Sequence, residues 1–335
     1  MSENRIICAD MDSNAIFEVN LSDGAIGICG CIPGEQLFAD RLVGCVYVNG
    51  KDYIFVPYKA SKIWVLNTND NSWKSIELDY PGVSYKFYNC AAYGETLYLI
   101  PVKYPEMLAL NLNDYSLTKV DIPLIADGRK ECNDAFFFSN CVKENNLLYL
   151  ASCETNAVIV FNMENRSYEW KNVGSPLNRY VGICKHDGNF WLAPRKNTPI
   201  VMWDGQKNVK EIDIASMFSG KFVFWGITDT EGITLHGIDA DETVSVDESL
   251  SISENRESAG TTFADVMEDG TFVMANKNCK LTVSHAGETK EINLEADEEQ
   301  VSRWINIYKS ENGNSNQVIG ETEFFGLNEL IDFIM

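Results

Sequence analysis

The chain has 335 residues, 45% of them hydrophobic, and a formal net charge of −22 at pH 7. This acidity disfavours nonspecific binding to nucleic acid or to an anionic membrane, because phosphate contacts require lysine and arginine in excess. No run approaches the ~18 apolar residues of a transmembrane helix, and we expect no signal peptide. The ten cysteines favour a reducing compartment, so we expect a cytoplasmic protein.

The first elements predicted along the chain are three strands between residues 5 and 30. The stretch Ala9–Ile16 aligns with Ala151–Val158, and Asn20 falls where Asn162 does. In the later repeat these residues end a second strand and open a third. The N-terminal segment is therefore expected to supply the second, third and fourth strands of a repeat whose first strand is missing.

A five-residue pattern then occurs seven times, beginning with Arg41–Cys45 and ending with Arg303–Ile307. Its fourth residue, which we call the pivot, is always Gly, Asn or Ala. The pivots are Gly44, Asn89, Asn140, Gly182, Gly226, Ala264 and Asn306. Repeats at such spacing predict a propeller or a solenoid.

Each pivot opens a predicted first strand that ends in a turn, such as Asn49-Gly50 or Asp187-Gly188, typical of tight hairpins. A second strand, a third strand and a weaker fourth strand follow. Turn residues close the third strand at Asn67, Asn111, Asn162 and Asp204. Four short antiparallel strands in about 40–50 residues form a propeller blade, so we predict an all-β fold, a seven-bladed β-propeller of four-stranded antiparallel blades.

The repeat of Asn306 is a first strand without its other three, which complements the N-terminal segment. We therefore expect strands from both chain ends to close the last blade and to remove exposed sheet edges. The propeller would span residues 1–313 and be monomeric. Residues 314–335 would form a tail with a short amphipathic helix, because Leu327, Leu330, Ile331 and Ile334 follow helical spacing. This helix would cover the propeller rim or dock a partner.

The repeats resemble those of kelch-type β-propellers in their length and in turns such as Asn67–Trp73, where asparagine and aspartate precede a tryptophan. The resemblance spans nearly the whole chain. The Gly-Gly pair of kelch blades is missing, and a single Gly or Asn stands in its place. The resemblance therefore implies an architecture and carries over no functional residue.

One column of the repeat is basic although the chain is acidic. The residue three before the pivot is basic in four repeats, at Arg41, Lys86, Arg179 and Arg303. In a propeller the first strands line the central channel, so these residues would stand at its mouth. The loops after the second strands open on the same face and carry Lys59, Lys103, Arg195 and Lys196. These eight residues are the predicted ligand-binding site for a carboxylate or phosphate.

The alternative is that these basic residues form ordinary surface ion pairs with neighbouring carboxylates, which contribute ~0–1 kcal/mol each. No nucleotide-binding, metalloprotease or serine-hydrolase motif occurs, and no cysteine pair has zinc spacing. We predict neither metal nor cofactor.

The sequence supports three alternative hypotheses for the function of the protein. The favoured one is a non-enzymatic propeller that binds an anionic small molecule, glycan or acidic peptide. The others are a protein–protein interaction scaffold and an enzyme acting on an acidic sugar.

Overall fold

The computed structural model describes residues 5–9, 14–36, 41–125, 135–137, 140–195, 198–214, 224–229, 232–237, 243–246, 251–255, 261–266, 271–276, 280–285, 288–296, 299 and 302. The chain divides into two compact units, Met1–Gly82 with Met267–Met335 and Val83–Val266. No helix in the described ranges is long and apolar enough to cross a membrane.

The described residues form short strands almost throughout. In chain order these are β1 Arg5–Ala9, β2 Ala15–Asn20, β3 Ala25–Cys31, β4 Val43–Asn49, β5 Asp52–Pro57, β6 Ile63–Asn67, β7 Ser72–Ile76, β8 Phe87–Tyr93, β9 Thr96–Pro101, β10 Met107–Asn111, β11 Leu117–Val120, β12 Val142–Glu144, β13 Leu147–Ala151, β14 Ala157–Asn162, β15 Tyr168–Asn172, β16 Tyr180–His186, β17 Asn189–Pro194, β18 Ile200–Trp203, β19 Asn208–Ile212, β20 Phe224–Asp229, β21 Ile233–Gly237, β22 Thr243–Val246, β23 Ile252–Asn255, β24 Thr261–Val266, β25 Phe272–Asn276, β26 Lys280–His285, β27 Glu288–Asn293 and β28 Glu295–Ala296.

In the first unit, β4, β5, β6 and β7 form an antiparallel sheet in chain order, as the repeat predicts. The three N-terminal strands β1, β2 and β3 are also confirmed as consecutive antiparallel partners. Beyond β3 the sheet gains β28, which pairs with it in parallel through Glu295 and Ala25. The predicted closing strand at 303–307 and the helical tail at 314–335 lie outside the described residues.

In its described part the second unit holds four antiparallel sheets, each with strands in chain order: β8–β11, β12–β15, β16–β19 and β20–β23. The first strand of the sheet β12–β15 begins at Val142, two residues after the pivot Asn140, which was expected to open it. The other first strands begin within the recurring five-residue pattern. All-β architecture built from four-stranded antiparallel sheets is therefore confirmed.

The hydrophobic core of the second unit lies between consecutive sheets. One cluster joins Ile100 and Met107 of β8–β11 to Leu150 and Phe161 of β12–β15. Two further clusters join β12–β15 to β16–β19, and β16–β19 to β20–β23. Face-to-face packing of successive sheets buries the apolar side chains that each strand presents.

Backbone hydrogen bonds reinforce this order in the second unit. The Phe136 N–H donates to Val102 O at 2.7 Å, and the Tyr180 N–H donates to Ser152 O at 3.0 Å. Each bond joins the loop after one sheet's second strand to the next sheet, at Phe136 before the first strand β12 and at Tyr180 at the start of the first strand β16. The first unit repeats the packing between β1–β3 and β4–β7, where Ile16, Leu42 and Phe55 share a cluster.

Local turn chemistry fixes the register of the hairpins. The predicted turns place Gly50, Gly94, Asn145 and Asp187 at positive φ angles of 59°, 56°, 54° and 48°. Between third and fourth strands, the side-chain oxygens of Asn111, Asn162 and Asp204 each accept a backbone N–H two residues on, at 2.8–3.0 Å. The predicted turn residues thus close the third strands by the mechanism that their side chains suggest.

A β-bulge near the start of the first strand corrects the alignment of the first repeat. Val43 pairs with Pro57 and Cys45 with Val56, which leaves Gly44 as the extra residue. In the next sheet Phe87 pairs with Pro101 and Asn89 with Ile100, which leaves Tyr88 out. The residue equivalent to the pivot Asn89 is therefore Cys45 and not Gly44. The sequence alignment of this repeat was wrong by one position.

Candidate functional site

Within single sheets, residues of the two basic rows predicted from sequence lie at the same end, which we call the basic edge of that sheet. It consists of the residues that precede the first strand and the loop that follows the second strand. In the sheet β16–β19 the Arg195 N–H donates to Arg179 O at 2.8 Å. In β8–β11 the Lys103 N–H donates to Tyr85 O at 2.8 Å, next to Lys86. In β4–β7 the Lys59 N–H donates to Leu42 O at 3.1 Å, next to Arg41.

Aromatic rings hold two of these cations. The guanidinium carbon of Arg41 lies 5.7 Å from the centroid of the Tyr58 ring, and Lys103 Nζ lies 5.3 Å from that of Tyr85. Both distances suit cation–π attraction. Arg41 and Tyr85 also share positive φ angles of 44° and 60°, as expected for residues that occupy the same position of the corrected register. Tyr58 and Tyr85 therefore each contact a cation of the basic rows.

Lys86 differs from the other predicted ligands because its side chain is only 1% exposed. The Val102 N–H donates to Lys86 O, as the Tyr58 N–H does to Leu42 O and the Cys153 N–H to Phe136 O. These bonds make Leu42 and Phe136 its structural equivalents, and both are buried, whereas Arg179, whose carbonyl accepts the Arg195 N–H, is an equivalent that is half-buried. Lys86 is thus buried at a position that is apolar in two other sheets, while the prediction placed it at an open mouth.

Arg179 is held by its own loop. Its Nη1 donates to Pro176 O at 2.9 Å and to Asn178 O at 2.6 Å. The Asn178 amide contacts the Tyr180 hydroxyl at 3.4 Å, and that hydroxyl donates to Val173 O at 2.6 Å. Burial raises the pKa of Tyr180, which keeps the phenol protonated as a donor.

The predicted ligand-binding residues differ in how far they are buried. Arg41, Lys59 and Arg195 are half-buried at the basic edge, and Lys103 is exposed there. Arg303 and Lys196 lie outside the described residues. The structure therefore brings together Arg179 with Arg195, Lys86 with Lys103, and Arg41 with Lys59, each within one sheet.

Sequence reasoning missed a buried polar group at His236, whose side chain is 2% exposed. Its Nε2 lies 2.8 Å from Thr228 Oγ1, and its ring stacks on Trp225 at 5.1 Å between centroids. In the described structure its Nδ1 has no hydrogen-bond partner. Burial lowers the pKa of His236 to about 4, so the ring is neutral near pH 7.

The register shows what is unusual about this histidine. His236 pairs with Gly226, while the same position of the other sheets holds Val56, Ile100 and Ala193. A histidine among aliphatic residues was a signal that alignment of the second strands could have revealed.

Two polar contacts join first strands at their opposite end. His186 Nδ1 lies 2.8 Å from Asp229 Oδ1, between β16 and β20, and Lys185 pairs with Glu144 between β16 and β12. Desolvation raises the pKa of Asp229 although His186 opposes it. Among the described residues no group of three or more histidine, cysteine, aspartate or glutamate side chains is arranged to hold a metal ion.

The known proteins that resemble this chain do so in structure and not in sequence. No known family and no curated protein matches the sequence. A streptogramin B lyase is similar in structure with a TM-score of 0.62 and 17% identity, over 84% of this chain and 89% of the lyase. A putative 6-phosphogluconolactonase from Bacteroides uniformis has a TM-score of 0.57 and 10% identity, over 88% and 96%. BamB from Moraxella catarrhalis has a TM-score of 0.53 and 11% identity, over 88% and 83%.

These neighbours are β-propeller-like proteins, so the chain has a β-propeller-like fold. At such identities the likeness concerns the fold alone. Enzymes and binding proteins both occur among the neighbours, and the fold therefore does not decide between these functions.

Proposed function

We propose that the chain is a seven-bladed, kelch-type propeller that binds an anionic ligand at the basic mouth of its central channel. The ligand would be an anionic small molecule, a glycan or an acidic peptide. Support for the architecture comes from the seven sequence repeats, from successive sheets packed face to face, and from the propeller-like neighbours. Strands from the two chain ends would close the last blade.

The observation that carries the ligand proposal is the hydrogen bond from Arg195 N–H to Arg179 O. It brings residues of both basic rows to the same end of one sheet. On a chain of net charge −22, local cations of this kind focus the field toward their own edge. Guanidinium groups bind carboxylate and phosphate through paired N–H donors, which suits an anionic ligand.

The test measures citrate and inorganic phosphate binding by calorimetry and by the rise in melting temperature. We expect Arg179→Ala and Arg195→Ala to weaken binding about tenfold each, because each removes a charge-assisted hydrogen bond. Lys210→Ala is the matched control, since Lys210 is an exposed cation on β19 of the same sheet. Equal losses in all three variants would indicate nonspecific charge and contradict the proposal.

A second arm of the experiment separates binding from catalysis. Acidic sugars that bind are incubated with the protein, and the mixture is analysed by mass spectrometry. An unchanged sugar supports a binding protein, while product formation that requires Arg179 supports the enzyme alternative. No binding of any anion would remove both.

A further inference from the structure

The loop Ser175–Arg179 carries an exposed apolar side chain, Leu177, two residues before a cation, Arg179. Leu177 is 79% exposed, more than any other large hydrophobic residue in the described ranges. The loop joins β15 to β16 and ends at the basic edge. An exposed leucine is common on protein surfaces and by itself needs no explanation. The conformation of this loop is what sets it apart.

Hydrogen bonds fix the loop on both sides of Leu177. The Leu177 N–H contacts Ser175 Oγ at 3.4 Å, and the Asn178 N–H donates to Ser175 O at 2.9 Å. At its start, the Gly174 N–H donates to Asn208 Oδ1 at 3.0 Å. The loop is thus pre-organised, and a partner would not pay the ordering entropy that flexible loops lose on binding.

Gly174 is required for this conformation. Its φ angle is 69°, and a Cβ atom there would lie 2.4 Å from Asn178 Nδ2 and 2.7 Å from the Tyr180 hydroxyl. Both atoms belong to the network that holds the loop. A side chain at this position would therefore displace the segment that presents Leu177.

The Arg179 guanidinium is oriented by the same loop. Nη1 is occupied by the carbonyls of Pro176 and Asn178, while Nε and Nη2 make no hydrogen bond within the described structure. These two groups lie along one edge of the planar guanidinium, the edge that binds carboxylates in a bidentate manner. The loop therefore offers a fixed donor pair two residues from an exposed leucine.

We propose that the Ser175–Arg179 loop docks an acidic segment of a partner protein, in which a carboxylate lies next to an apolar side chain. The carboxylate would bind Nε and Nη2 of Arg179, and the apolar side chain would cover Leu177. A small molecule fits less well because such ligands bind in concave pockets, whereas Leu177 projects into solvent. The inference rests on the proposed function and names the acidic peptide as its ligand.

The experiment uses the full chain and a fluorescein-labelled short peptide, with one leucine and one glutamate in a glycine–serine background. Control peptides carry serine for the leucine or glutamine for the glutamate. Affinity is measured by fluorescence anisotropy. We expect Leu177→Ser to weaken peptide binding about fivefold and to leave citrate binding unchanged, because only the peptide contacts the leucine. Arg179→Ala should weaken both ligands about tenfold.

Val209→Ser is the matched control, since Val209 is an exposed apolar residue on β19 of the same sheet. Circular dichroism and melting temperature verify that each variant is folded. Should Arg179→Ala unfold, Arg179→Gln replaces it, because the glutamine amide can still contact the loop carbonyls.

The outcomes separate the inference from the proposed function. If citrate binds through Arg179 while Leu177→Ser leaves peptide affinity unchanged, the docking inference fails and the anion site stands. If the peptide requires both residues while citrate and phosphate do not bind, the docking inference stands and the small-anion site fails. If no probe binds, both fail.

Discussion

His236 is expected to make the protein sensitive to acid. The ring is buried against Trp225 and Thr228, and burial lowers its pKa from the ordinary 6.5 to about 4. An unfolded chain exposes this ring and binds a proton near pH 6.5. Between these two values the unfolded state therefore takes up more protons than the folded state. The contribution of His236 to stability is complete above pH 6.5 and is lost as the pH falls toward 4.

The magnitude follows from the two pKa values. A difference of about 2.5 units at 1.36 kcal/mol per unit amounts to about 3 kcal/mol once both states are protonated. Most of this, about 2 kcal/mol, is lost between pH 7 and pH 4.5. Against a typical stability of 5–15 kcal/mol, such a loss is readily measured.

The assay is urea unfolding of the wild type and His236→Val at several pH values between about 7 and 4.5. Valine occupies the equivalent position as Val56, so the substitution suits the sheet. Carboxylates contribute to acid sensitivity in both proteins, and the difference between them isolates His236. Ile233→Val is the control, because it alters a buried residue of the same strand without removing a titratable group.

We expect the free energy of unfolding of His236→Val to fall by about 2 kcal/mol less than that of the wild type over this range. The Ile233→Val protein should follow the wild-type pH dependence with a constant offset. Parallel pH curves for the wild type and His236→Val would refute the argument, since they would mean that His236 titrates alike in both states.

Three further predictions follow from local geometry. Tyr115 has a φ of 62°, so Tyr115→Gly should raise the free energy of unfolding, measured by urea titration, by about 1 kcal/mol. Gly24→Ala should lower the free energy of unfolding, because the new Cβ would lie 1.9 Å from a backbone oxygen. Lys86→Glu should lower the melting temperature, because it places a carboxylate where the structure buries a lysine. Iodoacetamide should label exposed Cys29 well before buried Cys184, whose pKa burial raises strongly, as peptide mass spectrometry would show.

Strand order and turns were predictable from sequence because their causes are local. Asn111 and Asn162 accept hydrogen bonds from backbone groups two residues away, and Gly50 supplies a positive φ within its own hairpin. Such interactions require no knowledge of the rest of the fold. The pattern of aliphatic strands between these turns then fixes the four-stranded repeat.

The burial of Lys86 was not predictable in this way, because it depends on packing between sheets. The lysine precedes a first strand as Arg179 does, yet its side chain is enclosed while that of Arg179 is half-exposed. A basic residue type indicates solvent or a ligand on average. Which of the two equivalent positions is covered depends on neighbouring segments that are distant in sequence.

The β-bulge explains why the sequence alignment of the first repeat is wrong by one residue, and the correction changes which residues of the basic edges are equivalent. The extra residue is Gly44 in one sheet and Tyr88 in the next, and nothing in either sequence marks it as unpaired. Once the register is corrected, the residue equivalent to Arg41 is Tyr85 and not Lys86. Arg41 contacts a tyrosine of the following loop, while Tyr85 contacts a lysine of the following loop. In both of these sheets the basic edge therefore includes a cation–aromatic contact, between Arg41 and Tyr58 in one and between Lys103 and Tyr85 in the other.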